Sequence, residues 1–174
     1  MTPPFDIVPH LDSLRRYARV LVRHDHEADD LVQGALVRAM ERAGTFRPGA
    51  DLRVWLMTVL RNHLIDQMRS RRAALARDQA WAELTPGFAE PAGEQAVRLA
   101  QLRTAFLALP PDQREALHLT TIEGFSIAEA AAVLDIPPGT VMSRVGRARA
   151  ALRAFEDGPR RAHLKLVGGT DDPA

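Results

Sequence analysis

The chain has 174 residues, a net charge of +1 and no cysteine. Without a thiol it can build neither a disulfide framework nor a thiolate metal site, which fits a reducing compartment. No apolar run approaches the roughly 20 residues of a membrane-spanning helix, and the opening MTPPFDIVPHLDSL lacks the basic start and apolar core of a signal peptide.

Leu11, Leu14, Ala18 and Leu21 share one stripe of a first helix predicted over about 8–23. A second is predicted over about 27–43, with Leu31, Ala35 or Leu36, and Ala39 or Met40 inward. Its start holds an acidic run: Asp25, Glu27, Asp29 and Asp30. A loop from Gly44 to Asp51, broken by Pro48 and Gly49, leads to a third helix that Asp51 can cap. There Leu52, Trp55, Leu56, Val59, Leu60, His63 and Leu64 give the clearest helical period in the chain. Trp55 lies on that stripe, so it reads as core before it reads as a stacking platform. Positive charge then collects at Arg61, Arg69, Arg71, Arg72 and Arg77 against one acid, Asp66. Pro86, Gly87, Pro91 and Gly93 interrupt the pattern and mark a flexible linker, which also carries Trp81 and Phe88. Helices are expected over about Glu94–Leu109 and Asp112–Glu123, and the polar tail over 158–174 reads as disordered. No strand and no internal repeat is evident.

The most informative segment runs from Gly124 to Arg153. Ser126 with Glu129 three residues on forms a capping box, and Ile127, Ala130, Ala131 and Leu134 then line one face of a short helix. Pro137 and Pro138 stop it. A second helix begins at Thr140 as N-cap, with Val141, Val145, Ala148 and Leu152 inward. Between Ile136 and Arg153 there are four arginines and no acid. This is helix-turn-helix geometry, in which the second helix enters the major groove. The same spacing is compatible with a plain αα-hairpin whose arginines form a solvated face.

Residues 107–153 resemble region 4 of the extracytoplasmic-function (group IV) sigma factors of bacterial RNA polymerase, through LPPDQREAL, GFS-x-x-E-A-A and GTV-x-SR-x-x-RAR-x-x-L. The N-terminal half resembles region 2 of that family through ADDLVQ at 28–33, TFRPGADLRVWL at 45–56 and LRNHLID at 60–66. FRPG, RVWL, LRN and LPPDQREAL look closest to the general-stress-response subgroup. The resemblance implies an all-α fold: a region 2 domain over 1–72, a linker over 73–93, a helix-turn-helix region 4 domain over 94–157 and a tail over 158–174.

The same resemblance implies the site residues. Phe46, Arg47, Arg61, Asn62 and Arg69 are expected at the −10 element, where the Thr45–Asp51 loop and Asn62 frame a pocket for a flipped base. An amide suits that role because it donates and accepts. Thr140, Ser143, Arg144 and Arg147 are expected at the −35 element. Asp29, Asp30, Leu31, Gln33 and Leu36 are expected to dock on a basic coiled coil of the polymerase. The chain departs from the family pattern at Gly34, usually an acid, and at Met142 and Gly146, often basic or larger. With those two silent, DNA shape is expected to carry more of the −35 specificity.

The implied function is promoter-specific initiation with core RNA polymerase in a stress response. The implied partners are the polymerase, promoter DNA and a small helical anti-sigma factor wedged between the domains. The implied place is the cytoplasm, as a monomer when free. No enzyme, cofactor, metal or membrane is implied. His24-Asp25-His26-Glu27 mimics a metal cluster, but adjacent residues on a turn rarely converge on one ion. Two rival readings are a decoy that binds only an anti-sigma factor and a repressor with the same DNA-binding motif.

Overall fold

The computed structural model describes residues 5–22, 24–75 and 94–162. The described residues form seven α-helices and no strand: α1 Leu11–Leu21, α2 Asp25–Glu41, α3 Leu52–Leu75, α4 Glu94–Ala108, α5 Pro111–Leu117, α6 Ile127–Leu134 and α7 Pro138–Ala162. The expected linker residues 76–93, with Trp81 and Phe88, lie outside the described residues, as do Arg77 and the tail beyond Ala162. At the two expected boundaries, α3 continues to Leu75 and α7 to Ala162.

The first domain is a bundle of α1, α2 and α3. Leu14 and Ala18 fill its centre as the periodicity predicts, together with Leu31, Ala35, Ala39, Leu56, Val59 and Leu60. Tyr17 and Met57 are fully buried beside them, whereas Met40, one of two alternatives on α2, is exposed. Asp51 caps α3 as expected, its Oδ1 accepting from the backbone N–H groups of Arg53 (2.8 Å) and Val54 (3.1 Å).

The second domain packs α5, α6 and α7, with α4 leaning on α7. The capping box of α6 is complete: Ser126 Oγ accepts from Glu129 N at 3.2 Å, and Glu129 Oε2 accepts from Ser126 N at 2.7 Å. Ala130, Ala131 and Leu134 are buried, and so is Val133. Asp135 ends the helix with φ +52°, the left-handed geometry of a C-cap. One expectation is corrected. Helix α7 starts at Pro138, so Thr140 lies within its first turn and is not the N-cap. Proline at the first turn loses no hydrogen bond, since that N–H has no intrahelical partner anyway. Val141, Val145 and Ala148 face inward as predicted.

Between α5 and α6 the chain makes a turn of π-helix, His118–Ile122. Glu123 N donates to His118 O at 3.1 Å, and Gly124 comes next with φ +69°. Glu123 follows this turn directly, and its side chain reaches Arg16 and Arg53 of the first domain. Helix α6 packs along α3, and α5 meets α1.

Gly34 has a steric explanation. A Cβ built there would collide with Nε2 of His63, whose ring points end-on at α2 at that position. His63 cannot easily swing away, because it is 9% exposed and its Nε2 sits 3.0 Å from Gln67 Nε2. Burial, then the nearby Arg38 charge, lowers its pKa and favours the neutral ring. Glycine in a helix costs about 1 kcal/mol relative to alanine, whereas overpacking a core costs about 1–3 kcal/mol. Gly34→Ala is therefore expected to lower the melting temperature by several degrees. In a His63→Ala background the same change should be neutral or stabilising. Four thermal melts complete this double-mutant cycle, and an equal penalty in both backgrounds would show that His63 is not what demands the glycine.

Candidate nucleic-acid interface

Helix α7 presents Ser143, Arg147, Met142 and Gly146 to solvent, one turn after another. Arg147 Nη2 lies 3.4 Å from Ser143 Oγ, and Ser143 Oγ donates to Thr140 O at 3.0 Å. These polar groups form one small exposed array. Arg144 is turned away from it. Its Nε pairs with Asp112 Oδ2 on α5 at 3.2 Å, tying α7 to the helix that carries it. Thr140 is half-buried beside this array.

On the first domain, Asn62 and Arg69 are exposed along α3, and Arg47 is exposed on the loop before it. Phe46 is half-buried in an aromatic cluster with Phe5 and Trp55. The three rings meet edge to face or tilted, with centroids 5.4–5.5 Å apart. Trp55 thus belongs partly to the core stripe and partly to the loop wall, and Phe5 from the N-terminal segment completes that wall. Arg61 differs from its neighbours: its Nε donates to Glu115 Oε1 of the second domain at 2.9 Å and its side chain is 19% exposed.

On α2, Asp29, Asp30 and Gln33 are exposed and Leu36 is half-buried. Asp29 lies 4.0 Å from Arg15 Nε. Leu31 is 2% exposed and serves the core of the bundle, so its side chain is not part of this surface. It falls on the inward stripe, as its spacing from Ala35 and Ala28 requires.

Arg61 leads to a set of residues that the sequence reading missed. Glu115 also accepts from the Tyr17 hydroxyl at 2.6 Å. Burial, then the Glu115 charge, holds the Tyr17 phenol well above its ordinary pKa, so it remains a donor. Glu123, with a side chain 1% exposed, receives Arg16 Nε at 3.1 Å, and Arg53 Nη2 lies 3.5 Å away. Arg53 also donates to the Glu123 backbone carbonyl and stacks its guanidinium 4.5 Å over the Phe125 ring. His118 stacks on Tyr17 with centroids 5.9 Å apart and places Nε2 3.2 Å from Glu123 Oε1. Two acids of the second domain are thereby buried against three arginines and a tyrosine of the first. The sequence held one faint signal: Glu123 stands among apolar neighbours at the end of a helix.

A helical bundle with exposed arginines and an amide, joined to a helix-turn-helix with an exposed serine and arginine, defines a two-domain DNA-binding regulator of transcription. Residues 7–61 match the family described as the Sigma2 domain of PhyR, and residues 99–152 match Sigma-70, region 4. The chain is 38% identical over 172 residues to the ECF RNA polymerase sigma factor EcfG of Rhodopseudomonas palustris (strain TIE-1), covering 94% of each. It is 36% identical over 143 residues to the ECF RNA polymerase sigma factor SigM of Mycobacterium tuberculosis (strain ATCC 25618 / H37Rv), covering 82% of this chain and 71% of that one. Among solved structures it resembles the sigma factor RpoE in complex with the anti-sigma factor NepR from Bartonella quintana. That match has a TM-score of 0.72 and 35% identity over 87% of this chain and 94% of that one. The chain belongs to the extracytoplasmic-function RNA polymerase sigma factors.

The Glu123 environment sets a pH dependence. Burial alone would raise its pKa, but His118, Arg16 and Ser13 outweigh it and bring the value from 4.5 to about 2. A carboxyl released to water returns to its ordinary value. The contact is therefore at full strength above about pH 4.5 and is lost as pH falls towards 2. Thermal melts between about pH 6 and pH 3 are expected to show falling stability on acidification, and Glu123→Gln should flatten that slope. An unchanged slope in the variant would place the acid sensitivity on other carboxylates.

Proposed function

We propose that this sigma factor binds core RNA polymerase in the cytoplasm and directs it to promoters, reading the −35 element with α7 and the −10 element with the 45–51 loop and α3. The observation that carries this reading is the exposed Ser143–Arg147 array on a helix propped by a fully capped α6. Arginine on such a helix can read guanine through two hydrogen bonds, and serine can take a base or a phosphate. Arg144, paired with Asp112, is a positioning residue for α7. In the first domain, exposed Asn62 offers a donor and an acceptor to an unstacked base, Phe46 and Arg47 are offered by the loop, and Arg69 serves the backbone. The exposed acids Asp29 and Asp30, with Gln33 and Leu36, supply charge and some apolar surface for a basic polymerase element. The polymerase performs the chemistry and the chain is not an enzyme.

The likeness to an anti-sigma-bound sigma factor supports restraint by a small helical anti-sigma protein in a stress response. The two domains touch directly through their buried acids. A partner that wedges between them must first part Glu115 from Arg61, and Glu123 from Arg16 and Arg53.

Reconstitution with core polymerase tests the reading. Promoter-specific transcripts are expected. A decoy would give none, and a repressor would lower transcripts made by another sigma factor. Within that system, Arg147→Ala should weaken −35 binding by about 1–3 kcal/mol and relax preference at one base position. Anisotropy titrations against single-base −35 variants measure this, and unchanged affinity with unchanged preference removes Arg147 from the readout. Asn62→Ala should lower permanganate reactivity of the −10 region more than it lowers promoter recruitment. Normal reactivity would mean that Asn62 holds no flipped base.

A further inference from the structure

Three arginines of the first domain converge on the second, and each meets a carboxylate; Arg53 also donates to the Glu123 backbone carbonyl. Arg16 lies on α1, and Arg53 and Arg61 lie eight residues, about 12 Å of helix rise, apart on α3. All three bear on the face that meets α5 and α6. Their partners, Glu115 and Glu123, are both buried. A carboxylate presents to guanidinium the same charge and fork of oxygens as a phosphodiester. We propose that Arg16, Arg53 and Arg61 form a binding row for the phosphate backbone of a DNA strand, and that Glu115 and Glu123 occupy it in the free chain as internal stand-ins for phosphate. The proposal rests on the −10 reading of the neighbouring Asn62 and loop.

The energetics make the arrangement reversible. Burying a carboxylate is costly, and its paired cation offsets that cost only while the two remain together. Here the pairing partners sit on the opposite domain, so parting the domains hydrates both sets of charges at once. A phosphate strand arriving at the arginines replaces one anion with another, and the acids move into water. Closure and strand binding thus compete for the same donors. The exposed Ser143 and Arg147 array on α7 lies outside this competition, so region 4 can meet DNA while the arginine row stays covered.

The chain has no cysteine, so a reporter pair can be placed cleanly. Spin labels at Glu41→Cys and Glu156→Cys, both exposed, read the distance between domains. Fluorescent oligothymidylate reads affinity for a bare phosphate backbone with no promoter sequence. The Glu115→Gln/Glu123→Gln variant is expected to lengthen the label distance and to bind oligothymidylate at least about fivefold more tightly. Adding Arg16→Ala/Arg53→Ala to it should keep the longer distance and cancel the gain. Arg16→Ala/Arg53→Ala alone, which leaves the second domain untouched, should lengthen the distance without any gain. An unchanged distance in both double variants would show that the acids do not hold the domains together. In the Glu115→Gln/Glu123→Gln variant, a longer distance with unchanged oligothymidylate affinity would show that the arginines take no phosphate. Retained binding of duplex −35 DNA checks that the second domain is folded. Promoter-specific transcription is scored separately: its absence from the wild type defeats the sigma reading, whereas normal transcription beside a failed affinity gain defeats only the stand-in acids.

Discussion

Everything about how the two domains sit depends on carboxylates that have left water. Glu123 is nearly inaccessible, and Glu115 almost so. Burying such groups is costly unless they are paired, and Glu123 keeps its charge through His118 of its own domain and Arg16 and Ser13 of the other. Apolar burial also joins the domains, since Phe125 lies under Arg53 and α6 runs along α3. Apolar contact alone, however, is tolerant of sliding. Bonds from Arg16, Arg61 and Tyr17 fix one register, because each has direction as well as energy. The cover over Arg61 is a consequence of that register.

Within each domain the pattern of the chain was legible. The period at Leu56, Val59 and Leu60 marks α3, and the Ser126–Glu129 spacing marks the start of α6 down to its individual bonds. Both are local statements, settled within a few turns of one helix. The helix start at Pro138 was less legible, because Thr140 is also a good cap and the two candidate starts lie within one turn of each other. Tyr17 was invisible as a functional residue. It sits between Leu14 and Ala18 on an apolar stripe, and only a partner 98 residues away gives its hydroxyl a purpose. The same holds for Arg16 and Glu123, 107 residues apart. Periodicity carries no information about such pairs.

The candidate site divides along the same line. Ser143, Arg147, Asn62 and Asp30 are exposed, as their places off the apolar stripes require. The family resemblance puts Leu31 in the polymerase dock while its spacing from Ala28 and Ala35 puts it inward, and its side chain is buried. Gly34 looked like a loss of charge on that dock. The ring of His63 shows it to be a point where α2 and α3 approach closely. One glycine can thus lower an interaction surface and tighten a bundle at the same time.

The π turn at His118–Ile122 has a consequence for how this chain tolerates length change. Such a turn holds one more residue than an α-helical turn spanning the same rise. Deleting a residue there would restore a regular helix and rotate α6 and α7 by about 100° relative to α5. That rotation would break the packing of α7 on α5 and the Arg144–Asp112 pair, so the second domain would have to repack. Glu123 would then point along its own domain instead of across to the other. The length of this one turn is therefore tied both to the core of the second domain and to its contact with the first.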